Sequence, residues 1–141
     1  MANQKVIGSF EKVSFPDLGI FDVIAKIDTG ATSGSIHATH IKEIELPTGE
    51  RAIRFNPLGG KSKVTVTNFS LKGVRSSNGA SSLRYMIPTI IVIRGVQYPI
   101  RVSLADRTLM KKAVLVGRSF LRDHGFMIDV NIGSEYRGEV K

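Results

Sequence analysis

Short runs in which apolar residues fall on alternate positions recur along most of the chain. One run extends from Phe21 to Ile27, and another, over residues 100–104, alternates with Arg101 and Ser103, so one face of that strand is expected to contact water. A period of two is typical of half-buried β-strands. Only the stretch 119–124 favours a short helix, which Gly125 would end. The pattern predicts an all-β fold with one short helix near its C-terminal end.

Turn residues and phase changes divide these runs. A first strand is predicted over residues 5–15, and Pro16 to Gly19 then forms a turn into the strand that begins at Phe21. Between residues 63 and 71 the apolar positions change parity, which predicts a β-bulge. The segment 73–85 is polar around Asn-Gly at 78–79 and predicts a hairpin that projects from the body, although an ordinary surface hairpin fits the same residues.

Length and composition narrow the class of protein. With 141 residues, the chain is expected to form a single domain over residues 1–141, with a core at about 5–130 and a polar tail at 131–141. The absence of cysteine excludes disulfides within the chain and suits a reducing compartment. The first residues lack the apolar run of a signal peptide, and no segment approaches membrane-spanning length. We therefore expect a soluble, cytoplasmic protein.

The formal charge of +8 is unevenly distributed. No Asp or Glu occurs from Arg51 to Ala105, whereas Lys and Arg recur throughout this segment. Such a field attracts nucleic acid, an acidic peptide or an anionic surface. A solvated basic face that binds nothing explains the same composition.

Asp28 is the strongest candidate for catalytic chemistry. It follows the alternating run that ends at Ile27 and precedes Thr29 and Gly30, so a carboxylate, a hydroxyl and a flexible backbone meet at one strand end. To activate water for attack on a peptide carbonyl, an aspartate needs a second carboxylate with which it shares one proton. The same triplet is also ordinary turn chemistry, and the motif alone leaves both interpretations open.

Two segments, considered together, resemble the retropepsin-like aspartic proteases. They are residues 25–31, Ala-Lys-Ile-Asp-Thr-Gly-Ala, and residues 114–121, Val-Leu-Val-Gly-Arg-Ser-Phe-Leu. A closer resemblance, over about residues 5–130, is to the bacterial and archaeal retropepsin-like partners of RimK-type ATP-grasp ligases, also labelled ATP-dependent zinc proteases. Its motifs are Lys26 to Ala31 with His37 and Ala38, Val74 to Gly79, Leu104 to Arg107 with Met110, and Leu115 to Arg118. The chain departs from the family pattern at residues 32–35, Thr-Ser-Gly-Ser, which leaves the details of this loop open.

The resemblance implies a closed β-barrel or sandwich that supplies one catalytic Asp28 per chain and completes its site by homodimerisation. It further implies that Thr29 braces the two loops through its hydroxyl, that Gly30 offers backbone groups beside the carboxylates, and that Ala31 and Gly117 support the loop. Residues 73–85 would form a flap that excludes water and grips an extended substrate. The implied flap residues are Arg75, Ser76, Ser77, Asn78 and Gly79.

The other aspartates fit a single catalytic carboxylate per chain. Asp106 precedes Arg107 rather than a hydroxyl and a glycine, which suits a salt-bridged or capping role, and Asp129 lies within an apolar strand. Two copies of Asp28 across a twofold axis supply the required pair most simply. Arg118 is expected to form a structural ion pair rather than to contact substrate.

The residues predict neither a metal site nor a cofactor. His37 and His40 are three apart on a strand and would face opposite sides, so they are expected to be polar surface residues, and His124 is the only other histidine. No Gly-rich phosphate loop is visible, and any dependence on ATP would belong to a partner ligase.

These features together predict a homodimeric aspartic endopeptidase that acts on a peptide or protein, with an acidic substrate suggested by the basic middle of the chain. A glutamate-rich tail made by a partner ATP-grasp ligase would be such a substrate. The alternative is a dimer of the same fold that has no catalytic activity and acts as a basic binding module for a ligase or for nucleic acid. A third hypothesis, a zinc hydrolase, would give Asp28 no special role.

Overall fold

The computed structural model describes residues 5–75, 79 and 81–137, with the backbone alone for Val74 and Arg75. The described residues confirm the all-β fold, with eleven strands, one α-helix and two short 3-10 helices, none of which is long and apolar enough to cross a membrane. The strands are β1 (Lys5–Gly8), β2 (Phe10–Phe15), β3 (Ile20–Ile27), β4 (Gly34–Glu45), β5 (Arg51–Pro57), β6 (Val64–Val66), β7 (Ser70–Arg75), β8 (Ser81–Ile93), β9 (Val96–Ala105), β10 (Val114–Val116) and β11 (Phe126–Asp129). The helix α1 spans Arg118–Asp123, and the 3-10 helices span Pro16–Leu18 and Ser134–Tyr136.

Six of the strands close into a ring, as the barrel prediction requires. Hydrogen bonds join β10, β3, β2, β8, β9 and β4 in that order, and β10 also pairs with β4. β10 runs parallel to β3 along its whole length and antiparallel to β4 at Val114 and Leu115. One short strand thereby satisfies two sheet edges at once.

The interior of the ring is filled by the apolar positions of the alternating runs. Ile100, Val102 and Leu104 of β9 are all buried, while Arg101 between them is exposed. Ser103 departs from the expected wet face, since only 4% of it is exposed. Its hydroxyl donates to the carbonyl of Gly34 at 3.2 Å, and this bond lets a polar side chain sit in the barrel wall.

The prediction that Phe21 begins the inward-facing positions of β3 is wrong. Phe21 is 62% exposed, whereas Ile20 is buried. Asp22 adopts a φ of 56°, and the pairing of β2 with β3 shifts register between Val13 and Phe15. This irregularity moves the inward-facing positions by one residue, so the alternation read from the sequence holds only beyond it.

Two other predictions about strands are also wrong. The expected first strand is two strands, since β1 leaves the barrel to pair with β11 while β2 joins β3 and β8. The phase change between residues 63 and 71 is a break and not a bulge, because β6 pairs with β5 and β7 pairs with β8. Each segment keeps its own alternation because each faces a different neighbour.

The hairpin predicted around Asn78 and Gly79 is confirmed as β7 and β8. The two arms pair antiparallel from Ser70 opposite Met86 to Arg75 opposite Ser81, and Gly79 adopts a φ of 88°. Of the residues assigned to the flap, Ser76, Ser77 and Asn78 lie outside the described residues, as does the side chain of Arg75. The described part of the hairpin is therefore its two paired arms, below the turn.

Gly117, directly after β10, packs against the backbone of the loop that follows Asp28. A Cβ atom on Gly117 would lie 2.5 Å from the carbonyl carbon of Ser33 and 2.7 Å from its oxygen. Because the atoms it would meet belong to the backbone of Ser33, a side chain at residue 117 could be accommodated only if the whole loop shifted. The absence of a side chain at this position sets how closely α1 and the Asp28 loop approach each other.

Replacing Gly117 with alanine is expected to lower the free energy of unfolding by about 1–3 kcal/mol, because the added methyl overpacks the contact with Ser33. Urea denaturation followed by circular dichroism measures the change. Gly73→Ala is the matched control, since a Cβ there would meet nothing within 4 Å. Equal loss of stability in the two variants would show that the close contact at Gly117 has no special effect.

Candidate active site

The Asp28 carboxylate is held in place by the start of its own loop. The N–H of Asp28 donates to the carbonyl of Val116 at 2.9 Å, which continues the pairing of β3 with β10 by one residue. The carboxylate oxygen Oδ1 accepts the N–H of Gly30 at 2.9 Å. The other oxygen, Oδ2, makes no hydrogen bond to another described residue. The arrangement fixes the carboxylate while leaving one of its oxygens for water or substrate.

Arg118 anchors the loop from the side of α1. Its guanidinium donates from Nη1 to the carbonyl of Thr29 at 2.9 Å and from Nη2 to the hydroxyl of Thr32 at 3.2 Å. Its backbone N–H donates to the carbonyl of Ala31 at 2.7 Å. The predicted ion pair is wrong, because the partners of this guanidinium among the described residues are neutral. Arg118 therefore donates hydrogen bonds to oxygen atoms of the loop and fixes the conformation of the loop from Thr29 to Thr32.

The tip of the loop is turned outward. Thr29 and Gly30 are exposed, and the hydroxyl of Thr29 makes no hydrogen bond to another described residue. A rigid loop with an exposed hydroxyl and exposed peptide groups at its tip can contact a second polypeptide there.

The remaining candidate aspartates are engaged elsewhere. Asp106 accepts both the hydroxyl and the backbone N–H of Thr108, at 2.6 and 2.9 Å, which confirms its capping role. These two bonds, the hydroxyl first, lower the pKa of Asp106. Asp129 accepts the backbone N–H of Asn131 at 2.9 Å. Within the described part of the chain, Asp28 has no second carboxylate beside it.

Asp28 lines a cavity of about 350 Å³ whose wall contains many cationic side chains. No other acidic residue lines this cavity. Phe10, Met110 and Leu115 supply its apolar walls. Its cationic residues are Lys26, Arg107, Lys111, Lys112 and Arg137.

A second cavity, of about 510 Å³, lies between the Asp28 loop and the base of the hairpin. Lys72, Arg84 and Arg107 line it, and none of its lining residues is acidic. Lys72 and Arg84 are direct partners across β7 and β8. Like charges placed directly opposite each other destabilise a sheet, so this wall is electrostatically unfavourable until an anion occupies the cavity.

Arg107 lines both cavities and is the site residue that the sequence did not reveal. Its backbone N–H donates to Nδ1 of His37 at 2.8 Å, and its Nε donates to the carbonyl of Lys112 at 3.1 Å. Burial first, and then the like charge of Arg84, lower the pKa of Arg107, while the charge of Asp28 acts in the opposite direction. The motif Leu104 to Arg107 was the only signal, and it gave this arginine no role.

The histidines do not converge on a metal site. His37 is not the expected surface residue, since its side chain is 12% exposed and its Nδ1 accepts the N–H of Arg107. The backbone turns at His40, where φ is 55°, and His124 packs against Tyr98 and Phe120. No group of three potential ligands from His, Cys, Asp and Glu occurs among the residues that the structure describes.

Comparison with known proteins agrees with the fold. A family model described as the retropepsin-like aspartic endopeptidase RimB matches residues 6–137. A crystal structure of a protein of unknown function from Legionella pneumophila superposes with a TM-score of 0.73 at 25% identity, over 92% of this chain and 96% of that one.

Curated relatives are named probable alpha-L-glutamate ligase. The one from Shewanella pealeana is 33% identical over 122 residues, and the one from Desulfotalea psychrophila is 32% identical over 126 residues. These matches cover 82% and 85% of this chain but only 26% and 27% of the relatives, so the chain spans about a quarter of their length. The match of the RimB model to nearly the whole chain, on a closed barrel with the Asp-Thr-Gly loop at a strand end, shows that the chain belongs to the RimB-like family of retropepsin-like aspartic endopeptidases.

Proposed function

We propose that this chain is a homodimeric aspartic endopeptidase in which each subunit contributes Asp28. The observation that carries the proposal is the loop geometry, because the N–H of Gly30 fixes one carboxylate oxygen of Asp28 and this residue lines an open cavity. One aspartate cannot act as base and acid in the same step, and Asp106 and Asp129 are engaged elsewhere. A second copy of the chain supplies the missing carboxyl group.

In the proposed mechanism the two Asp28 side chains share one proton and bind one water between them. The ionised carboxylate takes a proton from the water as its oxygen attacks the peptide carbonyl carbon, and the protonated carboxyl donates to the carbonyl oxygen. The tetrahedral diol then breaks its C–N bond as the amine nitrogen takes a proton, which releases an acid and an amine.

The proposed dimer contact involves the exposed loop tips and the segment beside the Asp28 cavity. Leu109 is 97% exposed and Met110 is 56% exposed, and Met110 lines the same cavity as Asp28. Apolar side chains of this size lose contact with water when two copies meet. Thr29 and Gly30, exposed at the loop tip, would contact their counterparts across the twofold axis.

Replacing Asp28 with asparagine is expected to lower the cleavage rate by about 10²- to 10⁴-fold, because the amide neither takes nor shares the proton. A library of fluorogenic peptides rich in glutamate provides the assay. Asp129→Asn is the matched control, because it removes a carboxylate that does not line the Asp28 cavity and should keep full activity. A preparation that cleaves peptides equally well with either substitution would contradict the catalytic role of Asp28. Dimers that bind a ligase or nucleic acid without any Asp28-dependent cleavage would support the binding module instead.

The substitution Leu109→Asp is expected to raise the dissociation constant of the dimer by about tenfold or more, because two buried leucines are lost and two charges are introduced. Sedimentation equilibrium over a wide concentration range measures this constant. The control is Phe21→Asp, which alters an equally apolar exposed side chain at the end of β3 remote from Asp28. If both variants dimerise as well as the unmodified chain, the contact lies on another face.

The proposed substrate is an acidic peptide held beneath the hairpin, which acts as the flap. The cavity at the hairpin base presents Lys72, Arg84 and Arg107 without an acidic neighbour, so carboxylates of the substrate would complete its charge balance. Relatives named probable alpha-L-glutamate ligase contain a region similar to this chain, which favours a ligase that makes glutamate-rich tails as the proposed partner. The proposed setting of both is the cytoplasm.

Reversing the charge at Arg84 is expected to reduce the preference for glutamate-rich over neutral peptides by roughly 10- to 100-fold, the value of one charged hydrogen bond. Competition between the two peptides for one enzyme preparation gives the ratio of their kcat/KM values. Arg54→Glu on β5 changes the net charge equally but lies outside both cavities. Unchanged selectivity in Arg84→Glu, or an equal loss in Arg54→Glu, would contradict a specific role for this wall.

A further inference from the structure

A third cavity, of about 430 Å³, lies beside α1 and against β8 and β9. It differs from the other two in its charge, because Asp123 offsets one of the two cations in its lining, whereas the hairpin-base cavity presents three cations and no acid. Charged groups occur at its rim, where Lys72, Arg101 and Asp123 meet solvent. The apolar side chains that line it are Met86, Pro88, Pro99, Ile100 and Phe120.

This apolar cavity is continuous with the candidate active site. Thr32, Ser33, Lys72 and Met86 line both the apolar cavity and the cavity at the hairpin base. The hairpin-base cavity in turn shares Arg107 and Leu115 with the Asp28 cavity. The three cavities therefore form one groove that begins at Asp28, passes under the hairpin and ends against α1.

The polarity of the groove changes along its length. Around Asp28 and under the hairpin the walls are strongly cationic, whereas the end against α1 has fewer cations and five apolar side chains. A uniformly acidic chain would gain little against the buried part of this end, because Met86, Ile100 and Phe120 offer a carboxylate no hydrogen bond in place of water. An extended peptide that follows the whole groove gains most when an apolar side chain reaches this end.

We infer that the cavity against α1 is a distal subsite for an apolar side chain of the substrate, several residues from the bond that is cleaved. The inference rests on the proposed function, since the occupant is the same peptide that Asp28 cleaves. It makes the preferred substrate an acidic segment with an apolar anchor of leucine or phenylalanine size on one side. The occupant is peptide because the groove leads without interruption to Asp28 and runs under a hairpin whose strands can pair with an extended chain.

Ser119 offers a way to close the subsite without touching the catalytic loop's side chains. It lies on α1, lines the apolar cavity and does not line the other two. A tryptophan at this position would fill the space that the anchor needs. Arg122→Trp is the matched control, because it puts the same side chain on the same helix at a residue outside the cavity.

The experiment uses glutamate-rich fluorescent peptides that carry one leucine, moved through successive positions, and matched peptides with serine in its place. Kd values are measured by fluorescence anisotropy with Asp28→Asn protein, and cleavage is measured with the active enzyme. We expect the leucine to tighten binding by about tenfold or more at one position only. Ser119→Trp should remove this gain and leave serine-peptide binding unchanged, whereas Arg122→Trp should retain the gain.

Pro88→Asp provides a second test if the tryptophan variant fails to fold, since it adds a carboxylate at an exposed position of the cavity wall. It should likewise abolish the gain from leucine. A gain that survives both substitutions, or no gain at any position, would overturn the distal subsite even if cleavage is normal. A leucine gain that depends on Ser119 in a protein that cleaves none of the peptides would instead overturn the proposed catalysis and leave the subsite standing.

Discussion

The site depends on the short strand β10 more than on any other element. Three residues, Val114–Val116, pair with β3 on one side, and the first two also pair with β4 on the other, which closes the barrel. The same strand accepts the N–H of Asp28 through Val116 and places Gly117 against Ser33. Barrel closure and the position of the carboxylate are therefore one constraint, because the loop cannot shift unless β10 separates from β3.

The Asp28 loop is held in place from two sides, but its carboxylate stands alone among the residues that the structure describes. Arg118 and Gly30 hold the loop from two sides, yet Asp28 has no carboxylate partner among the described residues. Beside the loop, Lys72, Arg84 and Arg107 line one cavity that has no acidic residue in its wall. Unfavourable charge that persists in a folded protein is typical of a binding site, where the ligand supplies the compensation. In the proposed function a second subunit supplies the missing acid, and an anionic substrate balances the cations.

Local patterns predicted a large part of this structure. The period of two gave the strands, Asn-Gly at residues 78–79 gave the hairpin, and the end of the run at Ile27 gave the position of Asp28. The failures share a physical cause, since each depends on which strands pair and in which register. The phase of Phe21 is set by a register shift against β2, and the division of residues 5–15 is set by the pairing of β1 with β11.

The closure of the barrel and the positions of the charged side chains at the site also could not be predicted from the sequence. Nothing in Val114–Val116 indicates two different partners, which lie about 80–90 residues away along the chain. Arg107 lies at the site because hydrogen bonds to His37 and Lys112 hold its loop there. These are tertiary contacts, which the local sequence does not indicate. Arg118 was expected to meet an acid, whereas the loop presents it with backbone and hydroxyl oxygens.

The most direct test of a shared site mixes unmodified protein with Asp28→Asn protein at constant total concentration and complete subunit exchange. Cleavage of a glutamate-rich peptide is then followed as the fraction of unmodified chains is varied. If both Asp28 residues are required, mixed dimers are inactive and activity falls with the square of that fraction, so an equal mixture retains about a quarter of the activity. Activity that falls in direct proportion to the fraction of unmodified chains would contradict the account, because each chain would then act alone.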